Sequence, residues 1–170
     1  MTIADPFKML KKNQFIVIFG GYKENGYQKL LGLRDSLRNN GYDKTFLVTD
    51  LQNPKISKKN KDPDAIIAEK SLHWAKKAQV GLFVIFKDIP YGSASVEMTT
   101  RLSTHQELAK CSSFFLETGT TLQIVERGLI KLHDNYNVAY FDSKNDLFKM
   151  AKAYCFTHML QDKCGDTTML

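Results

Sequence analysis

The feature that most constrains the fold is a regular alternation of short apolar runs with stretches of helical periodicity. A β-rich run from Gln14 to Phe19 stops at Gly20-Gly21. The run from Val80 to Phe86 is continuously apolar, which is typical of a central strand covered on both faces. Three further strands are predicted over residues 44–49, 111–116 and 137–141. Five strands separated by helices indicate an α/β protein.

The helices between these runs carry recognisable start and stop signals. Leucines at helical spacing from Leu30 to Leu37 are followed by Asn39-Asn40-Gly41, which predicts a helix end. Asp62-Pro63 has the pattern of an N-cap followed by a first-turn proline. Further helices are predicted over residues 93–108, about 121–132, and 143 to about 160.

This order predicts a three-layer α/β/α architecture with a five-stranded parallel sheet. Strand–helix–strand units with right-handed crossovers place helices on both faces of the sheet. We expect the flavodoxin-like strand order 2-1-3-4-5, in which strands 1 and 3 flank the crevice where ligands bind. With no internal repeat or dividing linker, residues 1–160 are predicted to form one domain, followed by a flexible tail over 161–170.

Composition excludes several classes of protein. The chain of 170 residues has no apolar run near the roughly 20 residues of a membrane span. Its first residues lack the layout of a signal peptide, so a cytoplasmic location is expected. The histidines and cysteines are scattered without the spacing of metal ligands, and we expect no metal and no cofactor.

The chain has a formal net charge of +6, and several of its lysines are clustered in one polar loop. Lys55, Lys58, Lys59 and Lys61 lie in this loop between two Asx-Pro pairs. Such lysines are usually solvated, and the alternative is a contact with phosphate or nucleic acid. Because no aromatic residues interleave with them, nucleic acid is not an expected partner.

The predicted strand ends carry the candidate site residues. The loop that begins Gly20-Gly21-Tyr22 either makes a tight turn or brings backbone amides close to a phosphate or sugar. Glu117 and Thr118 follow strand 4 at the same sheet edge, where they could bind ligand hydroxyls or only cap the next helix.

The segment Gly92-Ser93-Ala94-Ser95-Val96-Glu97 is the most informative of these. It places two hydroxyls and a carboxylate in the first turns of a helix beside the predicted crevice, and Asp88 precedes it in the same loop. A glutamate near a helix N-terminus can simply favour the helix dipole. Alternatively, two carboxylates at one pocket can divide nucleophile and acid–base roles.

A strand, an aspartate-containing loop and a Gly-Ser-x-Ser-x-Glu segment opening a helix resemble the nucleoside 2-deoxyribosyltransferases. The layout is also similar to TIR-type NAD-cleaving domains. In the transferases, a glutamate after the third strand attacks the anomeric carbon of the sugar, and a tyrosine after strand 1 orients it. The resemblance implies that Glu97 is the nucleophile, that Tyr22 orients it and that Asp88 contacts the sugar. Tyr91 stands where the transferases prefer an aspartate.

The resemblance implies an N-glycosidic bond hydrolase or transferase that acts on a nucleoside, a nucleotide or an NAD-like ligand. Gly20, Gly21, Gly92, Ser93, Ser95, Glu117 and Thr118 are the candidate ligand-binding residues. The alternative is a nucleotide-sensing or TIR-like signalling module without catalysis, which the replacement at Tyr91 favours. The aromatic residues of the last helix are expected mainly in the core and are a candidate homodimer face: Phe148, Tyr154 and Phe156.

Overall fold

The sheet has the predicted topology. The structure is a computed structural model that describes residues 5–55, 62–104, 106–132 and 137–161. Its five strands are all parallel, in the order β2-β1-β3-β4-β5, so the flavodoxin-like prediction is confirmed. The strands are β1 (Ile16–Gly20), β2 (Thr45–Leu47), β3 (Val80–Ile85), β4 (Ser112–Glu117) and β5 (Val138–Phe141).

Helices cover both faces of the sheet and complete the three layers. They are α1 (Lys8–Asn13), α2 (Gly26–Asn39), α3 (Pro63–Lys77), α4 (Gly92–Thr104), α5 (Gln106–Lys110), α6 (Ile124–Leu132) and α7 (Lys144–Gln161). Helices α2 and α7 pack on one face, and α3, α4 and α6 pack on the other.

Strand β1 shows how the sequence builds two cores from one sheet. Because side chains alternate along a strand, Ile16 and Ile18 join the core under α2 and α7. Val17 and Phe19 join the opposite core. There, Phe19 stacks on Phe83 of β3 with ring centroids 4.9 Å apart, and Phe83 stacks in turn on Phe114 of β4 at 5.3 Å.

Several predicted element bounds differ from the structure. Strand β2 ends at Leu47 rather than at residue 49, because the Asp50 carboxylate accepts a hydrogen bond from the Leu47 amide (2.8 Å) across a short 3-10 helix, Val48–Asp50. The predicted helix over 93–108 is two helices, α4 and α5. Helix α7 reaches Gln161, so the predicted tail starts inside a helix, and residues 162–170 lie outside the described residues.

The crevice lies where β1 and β3 run side by side. The helices that follow these strands, α2 and α4, go to opposite faces of the sheet, so their connecting loops diverge. The loop after β3 also packs closely on the loop after β1 at Gly21. Among the described residues, no helix has both the length and the apolar character that crossing a bilayer requires.

Candidate functional site

The candidate site is a cavity between α3 and α4 at the carboxyl edge of the sheet. Both helices begin at that edge, and residues from the first three turns of α3 and the first two turns of α4 line a cavity of about 240 Å³. Its walls are mainly apolar, and Asp64, Ser71, Ser93 and Glu97 add the polar groups. Ile67 and Val96 flank the opening with 63% and 55% of their surfaces exposed.

Glu97 is the central feature of this cavity. The residue is 1% exposed, and neither carboxylate oxygen has a hydrogen-bond partner among the described residues. Burial raises the pKa of Glu97 to about 7, and the nearby Ser71 hydroxyl only partly opposes that rise. The carboxyl group is therefore able to change between its protonated and ionised forms near neutral pH.

Tyr22 lies close enough to Glu97 for the two side chains to interact electrostatically. Burial, followed by the charge of Glu97, raises the pKa of the Tyr22 phenol. The Tyr22 hydroxyl is buried and has no hydrogen-bond partner at normal distance in the described part of the chain, although the Val48 backbone lies near enough to oppose the rise of its pKa. The Tyr22 side chain packs against the core under α2 and α7. This interaction is compatible with the pairing that the resemblance implies, but Tyr22 is not among the described residues that line the cavity.

Helix α3 supplies the wall of the cavity that sequence reasoning missed. The Asp62 carboxylate caps the helix by accepting hydrogen bonds from the amides of Asp64 (2.9 Å) and Ala65 (3.5 Å), which confirms the predicted helix start. From this start, helical spacing brings Ile67 and Ser71 onto the cavity side. The helical spacing of Ile67 and Ser71 is the sequence feature that could have indicated this wall of the cavity.

Asp88 does not line this cavity. It is exposed and lies in a neighbouring depression of about 450 Å³, which Gly92 and Gln123 also line. Ser93, by contrast, lines the Glu97 cavity. Of the predicted site residues between β3 and Glu97, Ser93 therefore lies in the same cavity as Glu97, whereas Asp88 and Gly92 line the neighbouring depression.

The hydroxyl of Ser95 is taken up by a second buried glutamate, which the sequence analysis missed. Glu126 of α6 is 1% exposed and accepts hydrogen bonds from the hydroxyls of Ser95 and Tyr91, the latter at 3.2 Å. It also accepts from the amide of Gln123 at 3.0 Å, which fixes the start of α6 at Ile124 instead of about residue 121. Glu126 therefore joins the start of α4, the helix that carries Glu97, to α6.

The glycines after β1 are required by close packing. A Cβ atom on Gly20 would lie 2.8 Å from the Val84 carbonyl oxygen, and one on Gly21 would lie 2.3 Å from that of Pro90. Gly26 has a similar contact, with Gly21. These contacts support the tight-turn alternative for this loop, since any larger residue would force the two crevice loops apart.

Glu117 and Thr118 are engaged within the protein. The Glu117 carboxylate accepts a hydrogen bond from the Lys87 amide at 3.0 Å, and the amide and hydroxyl of Thr118 both donate to the Phe141 carbonyl. These bonds tie the end of β4 to the residues after β3 and to the end of β5. These contacts are neither ligand binding nor capping of α6, the two alternatives that the sequence leaves open.

Arg101 lies one turn after Glu97 on α4, yet it forms no ion pair with it. The buried guanidinium donates to Ser112 and to four backbone carbonyls, among them those of Ala75 and Ala78 at 2.8 Å each. The group thus satisfies the last carbonyls of α3, where a cation is favourable. Because Arg101 is fully occupied there, it leaves the Glu97 carboxylate without a counter-ion.

Other predictions fall partly outside the described residues. Of the lysine-rich loop, only Lys55 is described, and Lys58, Lys59 and Lys61 are not. In the described ranges, no group of three or more histidine, cysteine or acidic residues could hold a metal ion.

Comparisons of the chain with known protein families, with curated proteins and with solved structures found no match.

Proposed function

We propose that this protein is an enzyme that cleaves the N-glycosidic bond of a nucleoside, a nucleotide or an NAD-like ligand, with Glu97 as its nucleophile. One observation carries the proposal: the Glu97 carboxylate is buried without a hydrogen-bond partner among the described residues, in a cavity between α3 and α4, and Tyr22 lies within electrostatic range of it. The resemblance to the deoxyribosyltransferases supports the same pair of residues.

A carboxylate in this environment is costly for the fold. Removing an ionised carboxylate from water without compensating hydrogen bonds costs roughly several kcal/mol. A buried acid commonly avoids this cost by taking up a proton, which is seen as a raised pKa. Leucine or methionine at the same place would avoid that cost. A buried acid with a perturbed pKa in a cleft is therefore a candidate functional group.

The chemistry that fits these residues is covalent catalysis at a sugar carbon. The ionised Glu97 oxygen would form a bond to the anomeric carbon while the C–N bond breaks and the base leaves with the electron pair, taking up a proton from solvent water. Water or a second base would then displace the glutamate from the ester. Since only the carboxylate is nucleophilic, we expect the rate to rise with pH through about 7.

Tyr22 is proposed to position this carboxylate. Its hydroxyl is a donor without a present partner, and it lies within electrostatic range of Glu97. A hydrogen bond from the phenol would hold one carboxylate oxygen and leave the other for attack. Tyr22→Phe should therefore lower kcat more than it changes KM.

The cavity lining indicates which part of the ligand enters. No lysine or arginine lines it in the described ranges, and its two charged residues, Asp64 and Glu97, are both acids. A phosphate would be repelled there. We propose that a sugar or base occupies the cavity and that any phosphate remains outside it.

The test is the release of free base from deoxynucleosides, deoxynucleotides and NAD, followed by chromatography. Glu97→Gln should lower base release from the active substrate by at least about 100-fold. Glu107→Gln is a matched control, because Glu107 is exposed and lies outside the cavity. If wild type and Glu97→Gln are both inert across the panel, the enzyme proposal is ruled out. If both release base at the same rate, Glu97 is not the nucleophile.

A second candidate is a nucleotide-sensing module of the same fold. One observation favours it: Tyr91, at the position where the transferases prefer an aspartate, donates a hydrogen bond to Glu126. This position is thus occupied by a structural contact. A module of this kind would show a higher melting temperature with nucleotides and no product in the chromatographic assay.

A further inference from the structure

A second cavity lies on the other side of α4, between α6 and the edge strand β5. Its volume is about 230 Å³, and its floor is apolar, formed by Leu116, Leu122, Ile130 and Val138. Helix α4 packs between α3 and α6, so this cavity is separate from the one that contains Glu97.

Two cations of α6 border this second cavity. Arg127 and Lys131 are four residues apart, which places them on one face of the helix. Both are exposed, and neither forms an ion pair within the described ranges. Among the described residues that line the cavity there is no carboxylate, and the two charged ones are both cations.

The remaining lining offers an unused polar atom and an exposed ring. The hydroxyl oxygen of Thr120 is buried and has no hydrogen-bond partner in the described part of the chain. Tyr140 of β5 also lines the cavity, with 56% of its surface exposed. A ligand in the cavity could therefore satisfy Thr120 and cover the Tyr140 ring.

We propose that this cavity binds a small amphiphilic anion, a phosphate, sulfate or carboxylate attached to an apolar or aromatic body. The anionic group would lie between Arg127 and Lys131, where charge-assisted hydrogen bonds are strong. The apolar body would rest on the floor residues and against the ring of Tyr140. Such a site is distinct from the proposed function, and it has the charge preference opposite to that of the Glu97 cavity.

The test is a titration of the whole chain with phenyl phosphate, followed by calorimetry and by backbone amide shifts. We expect saturable binding with shifts confined to residues 116–132 and 138–141. Arg127→Gln together with Lys131→Gln should weaken binding by about tenfold or more. Tyr140→Ser should also weaken it, and both sets of substitutions are at exposed positions that the fold does not require.

Matched probes and variants separate a built site from a merely basic surface. Inorganic phosphate lacks the ring and benzyl alcohol lacks the charge, so each should bind at least about tenfold more weakly than phenyl phosphate. Lys149→Gln removes an exposed cation of α7, and it should leave binding unchanged, as should Glu97→Gln. Equal binding of inorganic phosphate, unaltered binding by the Arg127/Lys131 double variant, or shifts that map to α3 and α4 would each overturn the proposal.

Discussion

Glu97 and Glu126 are equally buried glutamates with opposite surroundings. Each is 1% exposed, but Glu126 accepts three hydrogen bonds, whereas both oxygens of Glu97 have no partner among the described residues. Hydrogen bonds to a carboxylate compensate for its removal from water. Glu126 is therefore a structural residue that joins α4 to α6, and Glu97 is the one whose burial lacks a structural explanation.

This difference leads to a prediction about stability and pH. Because the folded pKa of Glu97 is about 7 and its ordinary value is 4.5, the folded state binds more protons between these values. Stability should therefore fall as pH rises through this window and stay low above it. Glu97→Gln removes this loss, so we expect the variant to be more stable than wild type by about 3 kcal/mol near pH 8.5.

Urea denaturation near pH 5 and near pH 8.5 measures the effect, and the two proteins should converge at the lower pH. Glu107→Gln, at an exposed position, should show no such pH dependence. An equal difference between wild type and Glu97→Gln at both pH values would contradict the prediction.

At the residue scale, the sequence singled out Glu97 but not the group that Glu126 organises. Glu97 lies in the second turn of α4, the helix that follows β3, so its place near the carboxyl edge of the sheet follows from the local order of elements. Glu126 contacts Ser95 and Tyr91 across more than 30 positions of chain. Such long-range contacts depend on how α4 and α6 pack, and no pattern within either segment encodes that packing.

At the element scale, the loops after β1 and β3 are held together by glycine. The near contact of Gly21 with the Pro90 carbonyl leaves no room for a side chain. The sequence predicts a turn at these glycines, and it fits both close packing against another part of the chain and contact with a ligand. The partner of Gly21 is a loop almost 70 positions away, so only the assembled sheet could show which alternative holds.

We predict opposite effects of alanine at two glycines of these loops. Gly21→Ala should destabilise the protein by about 2 kcal/mol or more, because its Cβ atom would lie 2.3 Å from backbone. Gly92→Ala should be neutral or stabilise it by up to roughly 1 kcal/mol, because Gly92 is helical and a Cβ atom there would meet no other atom within 4 Å. Thermal unfolding of both variants measures the effects, and destabilisation by Gly92→Ala comparable to that by Gly21→Ala would contradict this account.

The ends of a helix or strand are predictable where the hydrophobic pattern determines them. They are less predictable where a side chain that caps the backbone determines them. Strand β3 was predicted almost to the residue, since six successive buried residues leave no alternative. Strand β2 and helix α6 were displaced because side-chain carboxylates, Asp50 and Glu126, bind the backbone at their ends. Several polar residues near each boundary could have done so, and the sequence does not distinguish among them.

At the scale of the whole molecule, strand order was the most predictable property. Right-handed crossovers and coverage of both faces restrict five alternating units to few arrangements, and the observed order is the one expected. The position of the crevice follows from that order alone. The cavity is less predictable, because it depends on the packing of α3 against α4 rather than on the sheet.

The shared sheet also predicts that the two cores unfold together. Strand β1 contributes Ile16 and Ile18 to one core and Val17 and Phe19 to the other, so neither layer of helices can separate without exposing the same strand. Trp74 is the single tryptophan and reports on the α3 side, where its ring lies 5.9 Å from that of Phe15 and its indole nitrogen donates to the Gln52 carbonyl at 3.0 Å.

We therefore expect Trp74 fluorescence and far-ultraviolet circular dichroism to give the same urea midpoint, as for one cooperative domain. The fluorescence follows the α3 side, while the dichroism is dominated by all helices, including the long α2 and α7 of the opposite face. A fluorescence midpoint clearly below the dichroism midpoint would mean that the layer carrying the Glu97 cavity opens independently. In that case the prediction of a single domain over residues 1–160 would be wrong, and the burial of Glu97 would be a property of one layer alone.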